Sequence, residues 1–267
     1  MGEGMLAGDF MDRGDPEIPW IVERFIARGT VTTLWATQGR GKTHNMIRLV
    51  DAVAGNKDSF LGLPVKFHGP CLYLVAETPG MFKQALVSHP GGFPRDNVLI
   101  VPGWNLRTAD GWLKFGAICR GAAVVVLDPV TSLDWAVKIS DNDVVNDIMR
   151  RFDQIASKTG AAIILVLHRK KVTHAEAEYG SEEAEEASAL GAVAWLAKAA
   201  GRFQLLKDRR HGLILKAWPS KIPTFEMLKL KTDKFGFHEM RGNDWRAGSF
   251  VVGGEVVIPE DSAGSSP

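Results

Sequence analysis

Two short runs in the chain, 122–127 (AAVVVL) and 161–167 (AAIILVL), are apolar throughout and rich in branched side chains. A strand with no polar face must be covered on both sides, and helices on the two faces of a parallel sheet provide that cover. Around these runs, other β-rich segments alternate with segments whose apolar residues recur at helical spacing, as in βαβ units. We therefore predict an α/β fold with a mostly parallel sheet flanked by helices.

The pattern along the chain divides it into three parts. Strands of the parallel sheet are predicted at 30–35, 71–76, 97–101, 122–127 and 161–167, and helices at 42–53, 79–87, 111–119, 142–156 and 187–199. Late strand-like runs at 202–206, 212–218, 225–231 and 235–240 predict an antiparallel C-terminal extension. We expect a lead-in segment over 1–29, one domain over 30–240 and a tail over 241–267.

Charge and cysteine content exclude several classes of protein. Thirty-two Lys and Arg balance thirty-one Asp and Glu to a net charge of +1, so no overall basic field marks a nucleic-acid partner. Cys71 and Cys119 lack disulfide-scaffold or zinc-ligand spacing. The first thirty residues do not resemble a secretory signal, and no apolar run approaches the roughly 18 residues of a membrane span. These features predict a cytoplasmic protein without a membrane anchor.

The most specific motif is 36–43 (ATQGRGKT), between a predicted strand and a predicted helix. It matches the phosphate-binding pattern GxxxxGK[ST] with Ala36 in place of the first glycine. In such a loop, backbone N–H groups and the helix N-terminus surround the phosphates, the lysine reaches the β- and γ-phosphates, and the hydroxyl binds Mg²⁺. Residues predicted to contact the nucleotide are Gly39, Arg40, Gly41, Lys42, Thr43 and His44.

Three further polar residues end predicted strands, where ligands of open α/β sheets collect. Asp128 ends a central strand and is predicted to hold Mg²⁺ together with Thr43. Glu77 follows the second strand, where a carboxylate can activate the attacking water. His168 ends the strand at 161–167 and is predicted to sense the γ-phosphate and signal to the next loop.

The segments TVTTLWATQGRGKT, CLYLVAE, VVVLDPVTSL and AAIILVLHRKK occur in this order. Together they resemble the RecA-like AAA ATPases grouped with the phage- or plasmid-type replicative helicase RepA and, more remotely, the DnaB-type helicases. The resemblance covers about residues 16–240. It implies a RecA-like P-loop NTPase core that hydrolyses ATP with Mg²⁺, with Lys42 and Thr43 on the nucleotide, Glu77 as catalytic base, Asp128 as Walker B acid and His168 as sensor.

In that family, ATP lies between the protomers of a ring, which here would be a hexamer, and a basic residue of the neighbouring protomer completes the site. Among the basic residues of the late strands, Arg202 and Lys216 are our candidates for this catalytic role in trans. An exposed, solvated strand face explains the same residues equally well.

The resemblance also implies a DNA partner, single-stranded or branched. The loop after His168 begins with three basic residues, but its later part, 176–186, is rich in acids that repel phosphate. Other candidate contacts are Lys138 with the neighbouring Trp135, and the basic cluster Lys207, Arg209, Arg210 and His211.

Three functions remain open at this point. The first is a helicase-type ATPase motor in DNA replication or recombination. The second is a metal-dependent nuclease that uses the carboxylates Asp128, Asp134, Asp141 and Asp143. The third is an ATP-dependent switch or loader that assembles on a partner without moving along DNA.

Overall fold

The computed structural model describes residues 7–11, 17–76, 78–133, 141–168, 194–208, 212–218, 220–233, 238–240, 250–252 and 255–257. The strands are β1 (Trp20–Val22), β2 (Ile26–Ala27), β3 (Val31–Ala36), β4 (Ser59–Phe60), β5 (Leu63–Pro64), β6 (Cys71–Val75), β7 (Val98–Pro102), β8 (Val124–Asp128), β9 (Ala162–His168), β10 (Gly201–Asp208), β11 (Gly212–Ala217), β12 (Met227–Thr232), β13 (His238–Met240), β14 (Phe250–Val252) and β15 (Glu255–Val257). The helices are α1 (Ala7–Met11), α2 (Lys42–Ala54), α3 (Pro79–Val87), α4 (Ala109–Ile118), α5 (Asn142–Thr159) and α6 (Ala194–Ala197).

A nine-stranded sheet in the order β13-β12-β11-β10-β3-β9-β8-β6-β7 forms the centre of the molecule. The six strands from β10 to β7 in this order run parallel, and β11, β12 and β13 continue the sheet in antiparallel fashion. Because β3, β9, β8 and β6 are parallel, their carboxyl ends meet at one edge of the sheet. The fold is therefore the predicted RecA-like α/β sheet with an antiparallel extension.

Two hydrophobic cores lie on the opposite faces of this sheet. Along β8, Val124 and Val126 contribute to one core while Val125 and Leu127 contribute to the other, and all four are fully buried. Helices α2 and α3 cover the first face, whereas α4, α5 and α6 cover the second. The apolar strand pattern thus reflects cover by helices on both sides.

Element boundaries differ from the sequence-based expectation by a few residues. Helix α5 extends to Thr159, because Gly160 with φ 74° adopts the left-handed conformation that ends a helix. Of the helix expected at 187–199, the described part is α6. The apolar run near the C-terminus forms the hairpin β14–β15 rather than a single strand.

Residues of the expected lead-in segment enter the core. Ile21, Val22, Phe25 and Ile26 are each at most 1% exposed, and the Phe25 ring lies 4.5 Å from that of Phe203. The segment around β1 and β2 is therefore packed against the domain rather than extending from it.

Among the described residues, no helix combines the length and the apolar character needed to cross a bilayer.

Candidate active site

The turn between β3 and α2 is built around two glycines. Gly39 and Gly41 have φ values of 77° and 76°, in the left-handed region, where an L side chain costs roughly 1–2 kcal/mol. Gly41 is the N-cap residue of α2, and the side chain of Asn45 donates to its carbonyl oxygen at 3.1 Å. The turn thus ends at a helix N-terminus, which favours bound anions.

Lys42 lies beneath this turn and is only 6% exposed. Its ammonium group donates to the carbonyl oxygens of Ala36 at 3.0 Å and Thr37 at 3.2 Å, and lies 3.3 Å from Nδ1 of His168. These partners are uncharged main-chain or imidazole acceptors. An anionic phosphate oxygen can replace them with a stronger, charge-assisted hydrogen bond.

Asp128, at the carboxyl end of β8, is 6% exposed and accepts a hydrogen bond from the hydroxyl of Tyr73 at 2.6 Å. Tyr73 is completely buried in β6, and its ring centroid lies 4.6 Å from that of Phe82. Sequence reasoning treated Tyr73 only as part of an apolar strand. The available signal was its hydroxyl, which needs a polar partner when it is buried.

These groups surround a cavity of about 640 Å³ at the carboxyl edge of the sheet. Its floor consists of residues 38–44 together with Asp128 and His168. A cavity of this size is in the range of small-molecule and cofactor sites.

Two further walls complete the cavity. One consists of apolar side chains of α3, namely Met81, Phe82 and Ala85. The other comes from the late strands and consists of Lys207, Leu213 and Thr232. The sequence did not predict this second wall, because it depends on how β10, β11 and β12 are placed beside β3.

His44, in the first turn of α2, also lines the cavity. Burial lowers the pKa of His44 below 6.5, while the charges of Asp233 and Asp128 act in the opposite direction and His89 acts to lower it further. His44 is therefore mainly neutral at pH 7 and brings no full positive charge to the phosphates.

Most of the predicted nucleotide and metal contacts meet in this one cavity. Residues 39–44, Asp128 and His168 all line it. Glu77 lies outside the described residues, although its neighbour Thr78 lines the cavity. Trp135 and Lys138, the nuclease candidate Asp134, the basic residues Arg169, Lys170 and Lys171, the acidic run 176–186, and the cluster residues Arg209, Arg210 and His211 also lie outside the described residues.

The candidates for action in trans lie elsewhere. Arg202 pairs with Thr33, several residues before the carboxyl end of β3. The ammonium group of Lys216 lies 4.3 Å above the ring of Trp218. Neither residue lines the cavity of its own chain, whereas Lys207 does.

The polar groups of the cavity fit a magnesium ion that is shared with a nucleotide. Within the described residues, no group of three or more His, Cys, Asp and Glu side chains lies close enough to hold a metal ion. Thr43 and Asp128 supply two oxygen ligand groups. Mg²⁺ is typically bound by one or two protein oxygens, with substrate phosphates and water completing its coordination.

Comparison with known families decides the class of this domain. Residues 4–174, more than half of the chain, match the family described as "AAA domain". The chain belongs to this AAA domain family. The AAA assignment identifies it as an ATPase and implies nucleotide binding, which confirms the sequence-based expectation at that level.

A solved structure supports the same fold for this AAA domain. The ATPase domain of a helicase superposes with a TM-score of 0.62 at 11% sequence identity, covering 88% of this chain and 96% of the other. No curated protein matches the chain. The RecA-like architecture is thus shown, while the particular relation to RepA stays a proposal.

Proposed function

We propose that this AAA domain is a ring-forming, helicase-type ATP-hydrolysing motor of the RepA group that acts on DNA in replication or recombination. The observation that carries the proposal is the position of Lys42. Its buried ammonium group lies under a glycine turn, in the same cavity as Thr43 and Asp128. This arrangement suits a nucleoside triphosphate with its divalent cation.

In this proposal, Lys42 exchanges its carbonyl partners for oxygens of the β- and γ-phosphates. Thr43 and Asp128 hold Mg²⁺, which when bound neutralises charge on those phosphates. Glu77 orients and deprotonates the attacking water, and its neighbour Thr78 in the cavity wall is consistent with that position. His168 contacts Lys42 directly and begins the connection to the loop that follows, so it can respond when Lys42 engages phosphate.

The positions of the strands indicate how the nucleotide would lie. Asp128 in β8 is on one side of β3, and the wall of Lys207, Leu213 and Thr232 is on the other. Because Mg²⁺ bridges the β- and γ-phosphates, these point towards Asp128. We therefore place the sugar and base against the late-strand wall, with Lys207 near the nucleoside side of the phosphates.

Ring formation and DNA binding belong to the same proposal. Arg202 and Lys216 lie away from the cavity of their own chain, so a catalytic role for either requires a neighbouring protomer, as in a hexamer. The basic residues 169–171 follow His168 directly and are proposed to contact single-stranded or branched DNA. Residues 30–240 would form the motor domain, with 1–29 leading into it and 241–267 following it.

A DNA-stimulated ATPase assay combined with strand displacement tests the motor. Wild-type protein should hydrolyse ATP faster with single-stranded DNA and should separate a tailed duplex in one direction. Replacing Arg169, Lys170 and Lys171 together by alanine should remove the stimulation. The control Lys114→Ala alters a lysine that is 68% exposed on α4 and should behave as wild type.

Two results would point elsewhere. ATP turnover without stimulation by DNA or strand displacement would favour a switch or loader. Metal-dependent DNA cleavage without ATP, lost in Asp128→Ala but kept in Lys42→Ala, would favour a nuclease.

A further inference from the structure

We propose that Tyr73 is a positioning residue for Asp128, and that its hydroxyl group sets the affinity of the site for Mg²⁺. This inference rests on the proposed role of Asp128 as a magnesium-holding acid. It concerns a residue that touches neither nucleotide nor metal and acts through the carboxylate alone.

The geometry of two neighbouring strands places the hydroxyl under the carboxylate. In the parallel pair of β6 and β8, Val75 lies opposite Asp128 and Tyr73 lies opposite Val126. Tyr73 and Val75 point to the same face of β6, so the long tyrosine side chain can reach along the strand to the acid. The resulting O···O distance of 2.6 Å is typical of a hydrogen bond from a hydroxyl group to an ionised carboxylate.

The two sides of Asp128 have different surroundings. Tyr73 is 0% exposed, so it approaches Oδ2 from the protein interior. Asp128 also lines the nucleotide cavity, whereas Tyr73 does not. The interior hydrogen bond therefore fixes the orientation of the carboxylate and presents it to the cavity.

The ring of Tyr73 is itself held in place. Phe82 packs against it with a centroid distance of 4.6 Å and a tilt of 46°. A hydroxyl on a fixed ring is a rigid donor, and an ionised carboxylate can only accept. Asp128 thus loses little further freedom when it binds a hydrated cation, which is the usual benefit of a hydrogen-bonded partner behind a metal ligand.

The same hydrogen bond would also exist if Tyr73 only satisfied its own buried hydroxyl group. The two roles differ in their effect on metal binding. A structural role changes the stability of the fold, whereas a positioning role changes the dependence on Mg²⁺ and leaves metal-free nucleotide contacts intact.

The first test is Tyr73→Phe, which removes one oxygen atom and keeps the ring. Binding of a fluorescent ATP analogue is titrated with Mg²⁺ and repeated in EDTA. The half-saturating Mg²⁺ concentration should rise roughly tenfold, while affinity in EDTA stays within about twofold of wild type. The matched control is Tyr179→Phe, at the second of the two tyrosines in the chain, which should leave both values unchanged.

An unchanged half-saturating Mg²⁺ concentration in Tyr73→Phe would overturn the positioning role. So would an equal shift when Tyr73→Phe is added to Asp128→Asn, because the hydroxyl group would then act without the carboxylate. Failure of the wild-type protein to bind the analogue would instead count against the proposed function.

A second measurement leaves Tyr73 in place and so does not depend on the folding of a variant. Labelling with 3-fluorotyrosine gives two ¹⁹F signals, which Tyr179→Phe assigns. The Tyr73 signal should shift when Mg²⁺ is added to the nucleotide-bound protein, and this response should be lost in Asp128→Asn. A Tyr73 signal that ignores Mg²⁺ in the wild-type protein would contradict the proposal.

Discussion

A buried charged cluster behind the active site allows a quantitative prediction of stability. Asp51 in α2 is 3% exposed and forms hydrogen bonds with Nε2 of His89, at 2.6 Å, and with the ammonium group of Lys57. The His89 side chain is 1% exposed, whereas that of Lys57 is 47% exposed. The cluster therefore joins the P-loop helix α2 to the segment that follows α3.

We predict that Asp51→Asn destabilises the protein by about 3 kcal/mol. The buried hydrogen bond between His89 and a charged group contributes about 1.5–3 kcal/mol. The half-exposed Lys57 adds no more than about 1 kcal/mol, because solvent screens it. For a chain of this size, about 3 kcal/mol corresponds to a fall in melting temperature of roughly 6–12 °C.

The assay is thermal and urea unfolding of wild type, Asp51→Asn and a matched control. Asp147→Asn makes the same chemical change at a side chain that is 68% exposed on α5, where the loss should stay below about 0.5 kcal/mol. Equal unfolding curves for the two variants would refute the argument that burial makes the Asp51 cluster important.

The pH dependence of the same difference has a defined sign. Burial raises the pKa of Asp51, but the hydrogen bonds from His89 and Lys57 outweigh this effect, so the pKa lies below its ordinary value. The stabilisation is therefore fully present above the unfolded-state pKa of about 3.9, and is lost as pH falls through the folded-state pKa. The gap between wild type and Asp51→Asn should close below about pH 4, and a gap that widened there would contradict this assignment.

Two further predictions use other parts of the fold. Burial raises the pKa of Cys71 and of Cys119 to about 12, so a thiol reagent at pH 8 should label neither in the native protein and both in denaturant; rapid native labelling would disprove their burial. Gly39→Ala, at φ 77°, should lower the free energy of unfolding by roughly 1–2 kcal/mol, whereas Gly80→Ala in open space on α3 should raise it by about 0.5–1 kcal/mol; shifts of the same sign in urea melts would show that backbone strain does not decide the effect.

The local sequence predicted the parallel sheet because its strands carry the pattern in their own residues. The buried runs that became β8 and β9 are apolar at every position, and that pattern requires cover on both faces. The glycine turn was predictable for the same reason, since 36–43 contains its conformational and chemical requirements within eight residues.

The parts that could not be predicted depend on contacts between distant residues. Tyr73 and Asp128 are 55 residues apart, and Asp51 and His89 are 38 apart, so no local period links either pair. Lys207 was grouped with a basic turn and a DNA contact. The register of β10 beside β3 brings it to the nucleotide cavity instead.

The central claim is that the cavity around Lys42 hydrolyses ATP. Steady-state ATP turnover by Lys42→Ala, compared with wild type and with Lys114→Ala at an exposed lysine, tests it most directly. The account predicts that Lys42→Ala loses turnover by at least roughly a hundredfold, as expected when a group that contacts the transferred phosphate is removed, while Lys114→Ala matches wild type. Turnover by Lys42→Ala equal to that of wild type would contradict the account.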